Sequence, residues 1–201
     1  MCIRDRYGLP ELFRDEIYGA DLVANPGCYA TSMILACAPL MKSGLVGDSV
    51  IVDAKSGTSG AGMNPSARTH HAFCSDSIIP YSVGTHRHTP EVEMAVDMFA
   101  GSDMRLTFIP HLVPIVRGIL SDCYFDLRKE TSQEEFDAVF ERQYGKEPFV
   151  HYVKEPSMSE IAGSNHAEVA SRVIGDKALA FGAVDNLVKG ASGQAVQCMN
   201  L

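Results

Sequence analysis

Residues 23–39 read VANPGCYATSMILACAP, and the place of Cys28 in that run decides how the rest of the chain is read. The residue before a proline is pushed toward extended geometry, so DLVANP (21–26) is expected to be a strand or extended segment. Thr31 to Met41 is rich in Ala, Leu, Ile and Met and apolar nearly all round, which predicts a buried helix. Pro39 should end or bend that helix, and Gly44 offers a C-terminal stop. Cys28 therefore lies between a Pro-Gly turn and a helix start. Unpaired N–H groups and the helix dipole at such an entrance stabilise a thiolate, lower its pKa and make the sulfur nucleophilic. Gly27 leaves room for a substrate or cofactor to approach the backbone.

Outward from that run, YGLPELFRDEIY (7–18) reads as a turn entering a short helix, and SVIVDA (49–54) as a β-branched strand. SGTSGAGMNPSAR (56–68) is too rich in Gly, Ser and Pro to be anything but a loop. Residues 90–99 predict a helix with Thr89 as N-cap, Pro90 in the first turn and Glu91 at the positive dipole end. Val92, Ala95, Val96 and Phe99 then share one apolar face. RLTFIP (105–110) and IVRGILSDCYFDL (115–127) predict strands. Thr131 to Glu134 reads as a capping box opening a helix with Phe136, Val139, Phe140 and Tyr144 on one face. FVHYV (149–153) is a short strand, EVASRVI (168–174) and ALAFGAV (178–184) form a hairpin across 175–177, and VKGASGQAVQCMN (188–200) is a helix. Strands and helices mix without regular alternation, so the expected class is α+β.

Bulk properties exclude several functions. The 201 residues can bury a core, and 46% hydrophobic with 21% charged residues is globular usage. A net charge of -8, with 17 scattered Lys+Arg, argues against nucleic acid as a partner. No apolar run approaches the ~18 residues a membrane helix needs, and MCIRDRYG has no apolar signal region. The six cysteines are widely spaced with no CxxC pair, which reads as reduced thiols in a cytoplasmic protein rather than a disulfide or zinc framework. Cys37, Cys74, Cys123 and Cys198 read as small buried hydrophobes.

A thiolate nucleophile works with a base within hydrogen-bond reach. His70, His71, His151 and His166 sit in contexts that suit solvated or structural roles. In THRHTPE (85–91), by contrast, His86 and His88 are two apart in an expected extended segment, so their rings point one way and Arg87 the other. An HxH pair can also ligate a metal, but no nearby Asp, Glu or Cys completes a set, so no metal site is assigned. The loop SGTSGAG could form a backbone nest for an anion, a weak signal on its own. From the residues alone the reading ends at a thiol enzyme, with acyl transfer and an anionic ligand open.

Four phrases together, VANPGCYATSMILACAP, DAKSGTSGAG (53–62), YSVGTHRHTPEVE (81–93) and PHLVPIVRGIL (110–120), resemble the N-acetyl-gamma-glutamyl-phosphate reductases of arginine biosynthesis, and DNLVKGASGQAVQCMN (185–200) is similar to that family's C-terminal segment. The resemblance implies NADPH-dependent reduction of N-acetyl-L-glutamyl 5-phosphate to the 5-semialdehyde with release of phosphate, through a thioester on Cys28. It implies His88 as general acid/base with His86 beside it, and Arg117 and Tyr81 at the substrate, Arg117 being equally readable as a structural arginine. Ser56, Gly57, Ser59, Gly60, Asn186 and Lys189 would lie at the cofactor. The implied fold is a mixed-sheet catalytic and dimerisation domain of the semialdehyde-dehydrogenase type (28–183). Remnants of a Rossmann-like nucleotide domain would flank it at 1–27 and 184–201, and the assembly would be a homodimer or homotetramer. Carrier-linked aminoadipyl-phosphate reductase, aspartate-semialdehyde dehydrogenase and a cofactor-free dimerisation module are the alternatives. Departures are Met63 where an arginine is expected, Ser32 after Thr31, and the opening MCIRDR, which matches nothing in the family. No Gly-rich dinucleotide fingerprint precedes Tyr7, so the chain is expected to be an incomplete, weakly active piece with an exposed apolar patch. Titration of the purified chain with NADPH should accordingly show no micromolar binding.

Overall fold

A computed structural model describes residues 5–64 and 66–201; residues 1–4, which include Cys2 and most of the opening MCIRDR, and Pro65 lie outside the described residues. In chain order the elements are β1 (Asp5–Tyr7), α1 (Pro10–Ile17), β2 (Leu22–Ala24), α2 (Cys28–Ser43), β3 (Val46–Ser56), α3 (His71–Cys74), β4 (Ile79–Pro80) and α4 (His88–Ala100). They continue with β5 (Arg105–Leu112), β6 (Ile119–Leu127), α5 (Gln133–Tyr144), β7 (Val150–Tyr152), α6 (Met158–Ile161), β8 (Ala167–Ile174), β9 (Lys177–Val184) and α7 (Gly193–Met199). β1 and β2 pair in parallel. The other strands form one mixed sheet in the order β4-β5-β3-β6-β9-β8-β7, in which β3–β5 and β7–β8 are parallel and the other pairs antiparallel. The class is α+β, as read from the sequence.

Strand alternation gives the sheet two unlike faces. On β3, Val50, Val52, Ala54 and Ser56 are buried, as are Ile119, Ser121, Cys123 and Phe125 on β6, and α2, α4 and α5 cover this side. The opposite face carries Ile51, Tyr124, Asp53, Lys55 and Asp122, with Ile51 and Tyr124 nearly half exposed. Asp53 and Asp122 stand directly opposite in the β3–β6 register, a like-charge pairing that is destabilising by itself. Lys55 offsets it: its Nζ lies 2.6 Å from Asp122 Oδ2 and 3.0 Å from Asp53 Oδ1.

Several boundaries differ from the sequence reading, each for a local reason. α2 begins at Cys28 itself, with Gly27 as N-cap, rather than at Thr31. Pro39 does not end it. Proline removes the amide that would bond the carbonyl four residues back, and that carbonyl, of Leu35, instead accepts the Tyr144 hydroxyl from α5 at 2.8 Å. The helix then runs on to Gly44, in the left-handed region at φ +69°. The capping box of α5 is Ser132 with Glu135, one residue later than expected, because the same Ser/Thr-x-x-Glu spacing occurs twice in succession. Thr131 bonds the Lys129 carbonyl instead. The strand expected over 115–127 starts at Ile119, after Gly118 at φ +104°, because 115–118 fold onto the 57–59 loop through backbone bonds.

Tyr144→Phe should strand the buried Leu35 carbonyl and destabilise the chain by about 1–3 kcal/mol. Adding Pro39→Ala, which restores the missing amide donor, should recover part of that loss. Urea unfolding of the two singles and the double measures the coupling, and strictly additive effects would contradict the pairing.

Candidate active site

Cys28 is the first residue of α2 and His88 the first of α4, so two helix entrances meet at one place. Both residues line a cavity of about 620 Å³ with Tyr29, Tyr81, His86 and Leu112. The approach is close because Gly27 has no side chain: a Cβ there would collide with the His88 ring at Nε2. Glu91, one turn into α4, fastens the two entrances together. Its Oε1 accepts the Gly27 amide at 2.9 Å and the Tyr7 hydroxyl at 2.9 Å. Behind the thiol stands Gly190, where a Cβ would come within 2.8 Å of that of Cys28.

The two histidines meet by a route other than strand alternation. Residues 86–88 are not extended; Arg87 is already helical, and it occupies the cap position of α4 in place of Thr89. The capping task falls to His86, whose Nδ1 accepts the His88 amide at 3.2 Å. That bond puts the proton of a neutral His86 on Nε2. The ring centroids of His86 and His88 are 4.8 Å apart, and the buried Nδ1 of His88 has no hydrogen-bond partner among the described residues. Across the cavity, the Tyr81 hydroxyl donates to that of Tyr29 at 3.3 Å, and Tyr29 donates to the His111 carbonyl at 3.1 Å.

The charge states reverse the expectation of an ionised sulfur. Burial pushes the Cys28 thiol above its ordinary value; the amides of Tyr29 and Cys28 and the charge of Arg87 pull it down but do not win. Burial lowers both imidazoles to about 4, helped by Arg87 and, for His86, by His88. At neutral pH the site holds a protonated thiol beside two uncharged bases. The helix entrance supplies its amides, but desolvation outweighs them.

Of the residues singled out from the sequence, Cys28, His86, His88, Tyr81, Ser56 and Gly60 border the one cavity. Gly57, Ser59 and Asn186 stand outside that lining as a brace: Asn186 accepts the Gly118 amide at 2.8 Å and donates to Ser59 Oγ at 2.9 Å. A Cβ on Gly57 would lie 2.7 Å from the backbone of Val116 and Arg117, so that glycine is used up by packing. Arg117 also lies outside the lining, 3.4 Å from the buried Asp185 carboxylate. Lys189 is fully buried, bonded to the Glu11 carboxylate and, at 2.7 Å, to Gln197, and this leaves it no surface toward a ligand within the described residues. Tyr29, Glu91, Arg68 and Arg87 escaped the sequence reading. Arg87 and Glu91 were in view inside THRHTPE, but Arg68 and Tyr29 carry no local signal. Met63 is wholly exposed.

For a nicotinamide cofactor, Ser56, Gly60 and the open cavity beside the thiol give room for the reactive ring. Gly57 is packed against the 116–117 backbone and Gly60 against Ser56 Oγ, while Gly62, at φ +84°, has open space around it. The described residues offer that end of the cofactor a place, and none of these glycines forms the Gly-x-Gly-x-x-Gly turn that cradles a diphosphate. Among the described residues no group of three or more His, Cys, Asp or Glu could hold a metal ion.

Residues 28–186 match the family model described as "Semialdehyde dehydrogenase, dimerisation domain". Among curated relatives, a protein from Moorella thermoacetica named N-acetyl-gamma-glutamyl-phosphate reductase is 47% identical over 100% of this chain and 60% of its own length. One of the same name from Methanocaldococcus jannaschii is 43% identical over 99% of this chain and 59% of its own. The chain thus spans about 60% of the length of these relatives. Among solved structures, aspartate semialdehyde dehydrogenase II from Vibrio cholerae superposes with a TM-score of 0.77 at 18% identity, covering 98% of this chain and 68% of that one, a likeness of fold.

The charge states set a pH profile. With its thiol held above the ordinary value, Cys28 should be alkylated by iodoacetamide at a rate that climbs through pH 9 and beyond, because only the thiolate reacts. Rates followed by peptide mass spectrometry that level off near pH 7 would contradict the half-buried, neutral thiol.

Proposed function

The chain belongs to the semialdehyde dehydrogenase family through its dimerisation domain, and from that premise we propose that it carries the thiol chemistry of an N-acetyl-gamma-glutamyl-phosphate reductase. The substrate is N-acetyl-L-glutamyl 5-phosphate and the products are the 5-semialdehyde and phosphate. What supports this above all is a single arrangement, a protonated thiol and two uncharged imidazoles at opposed helix entrances on one cavity.

Cys28 Sγ attacks the acyl carbon while its proton passes to an imidazole, for which His88 is the candidate. The C–O bond to phosphate breaks, and an acyl thioester remains on the sulfur. Cys28 then leaves as thiolate when the carbonyl carbon has been reduced, recovers its proton from the imidazolium, and frees the aldehyde. NADPH, when bound, supplies the hydride for that reduction. In this reading His86, with its proton on Nε2, donates to the carbonyl oxygen, which gains charge in both steps. Tyr81 and Tyr29 fix the far wall through their hydroxyl chain. The bare sheet face around Ile51 and Tyr124 is the surface we assign to a second copy of the chain, giving a homo-oligomer. The free thiols of the described cysteines suit the reducing cytoplasm.

The first half-reaction needs no cofactor and tests the reading directly. Exposure of the chain to N-acetyl-L-glutamyl 5-phosphate should leave a hydroxylamine-labile N-acetylglutamyl adduct on Cys28, located by peptide mass spectrometry and lost in Cys28→Ala. His88→Gln should slow its formation by roughly 10²–10⁴-fold, the usual contribution of a general base. An unmodified Cys28 in a folded chain would leave the cofactor-free dimerisation module as the better account.

A further inference from the structure

Arg68, in the short turn Ala67–Thr69, and Arg87, at the entrance of α4, both line the thiol cavity, and no Asp or Glu among the described residues lines it. Their shared place on one cavity wall is what sets these two apart, since most Lys and Arg among the described residues lack a carboxylate partner and only some find one. Arg14, Arg117 and Arg128 each do so, with Glu147, Asp185 and Asp48. Arg68 and Arg87 have no carboxylate partner among the described residues. Arg68 is exposed to solvent but not without an attachment. Its guanidinium lies 5.6 Å from the ring centroid of Tyr81, a cation–π contact that holds it on the cavity wall. Arg87 lies between the two histidines in sequence, lines the same cavity and is within electrostatic reach of both Cys28 and Tyr81. The nearest carboxylate behind the thiol, Glu91, is committed to Gly27 and Tyr7.

We propose that Arg68 and Arg87 form a two-guanidinium anion site beside the thiol, which seats the phosphoryl group of an acyl phosphate and, in the reverse direction, inorganic phosphate. The assignment of that phosphoryl group rests on the thioester reading above. Guanidinium forks match phosphate oxygens in pairs, and a doubly charged group engages both arginines where a monoanion needs only one. As the acyl C–O bond breaks, negative charge grows on the departing oxygen, and fixed cations at that point favour departure. The same pair lets a dianion approach two uncharged imidazoles without an unscreened charge in the cavity. Selection of phosphorylated over unphosphorylated acyl donors would then lie in this chain.

Charge-selective alkylation of the chain tests the site without any cofactor. Iodoacetate and iodoacetamide deliver similar carbon electrophiles, one anionic and one neutral. At low ionic strength, the iodoacetate-to-iodoacetamide rate ratio at Cys28 should exceed that of glutathione by on the order of tenfold, the effect expected of a cationic cleft. Inorganic phosphate should protect Cys28 from both reagents. Arg68→Gln and Arg87→Gln should each lower the ratio severalfold and weaken protection; any change in thiol acidity cancels in the ratio. Arg68→Lys should keep much of the ratio, as a point charge, while losing phosphate protection, as the fork is gone. A ratio no higher than that of glutathione, or one untouched by either Gln substitution, overturns the anion site. If instead the ratio and its arginine dependence hold while the acyl phosphate leaves Cys28 unmodified, the anion site stands as a phosphate site and the thioester reading fails.

Discussion

The seating of α2 constrains the rest of the molecule, because glycines press against it where a side chain could not fit. Gly27 admits the His88 ring, Gly190 admits Cys28, and Gly182 on β9 lies so close to the Ser32 carbonyl that a Cβ would overlap it. The Ser32 hydroxyl adds hydrogen bonds to the Gly182 carbonyl at 2.7 Å and to the Ser121 hydroxyl at 2.9 Å. Ser32 is thus more than a tolerated departure in a helix; it is the polar pin between α2 and the middle of the sheet. With α2 fixed in this way, its first turn has one available position, and the cysteine takes it.

Much of the fold was legible because alternation and capping are local. β3, β5, β6 and the β8–β9 hairpin follow from β-branched runs and a Gly-Asp turn, and α5 from its capping box to within one residue. What escaped were arrangements set by a distant partner. Nothing near Pro39 announces that Tyr144, far along the chain, will take the carbonyl it orphans, so a helix that should have stopped does not. Nothing in THRHTPE says that His86 will cap α4 with its own ring and so replace Thr89. The pairing of the two histidines came out on one side of the chain as expected, but through a helical turn and not an extended segment.

In the candidate site, the types of residue were legible and their energetics were not. A helix entrance lowers a thiol's pKa only while water or nearby charge supports the thiolate, and the depth of Cys28 depends on packing by distant residues such as Gly190, which no local pattern encodes. Lys189 shows the same limit. A lysine in VKGASG is chemically suited to a phosphate, yet the chain turns it inward to Glu11, joining the first helix to the last segment. A buried pair of that kind fixes geometry more than it adds stability, since desolvation offsets most of the attraction.

The neutral thiol and neutral imidazoles bear on when the sulfur becomes a nucleophile. A preformed thiolate–imidazolium pair would stay reactive toward any small electrophile. Here the proton rests on sulfur, because the burial that raises the thiol also lowers both imidazoles, so transfer between them is uphill in the resting cavity. On the thioester reading proposed above, it becomes favourable only as the S–C bond forms, when sulfur ceases to hold the developing charge and the acyl oxygen takes it up. Proton transfer is therefore coupled to attack on a carbon already in place. On that reading, closure of the cavity by the acyl group would strengthen the coupling by removing water that could otherwise solvate a free thiolate. On the thioester reading, the partial burial of the thiol, which looks at first like a handicap for a nucleophile, slows its reaction with small electrophiles at neutral pH and favours an acyl donor that fills the space in front of it.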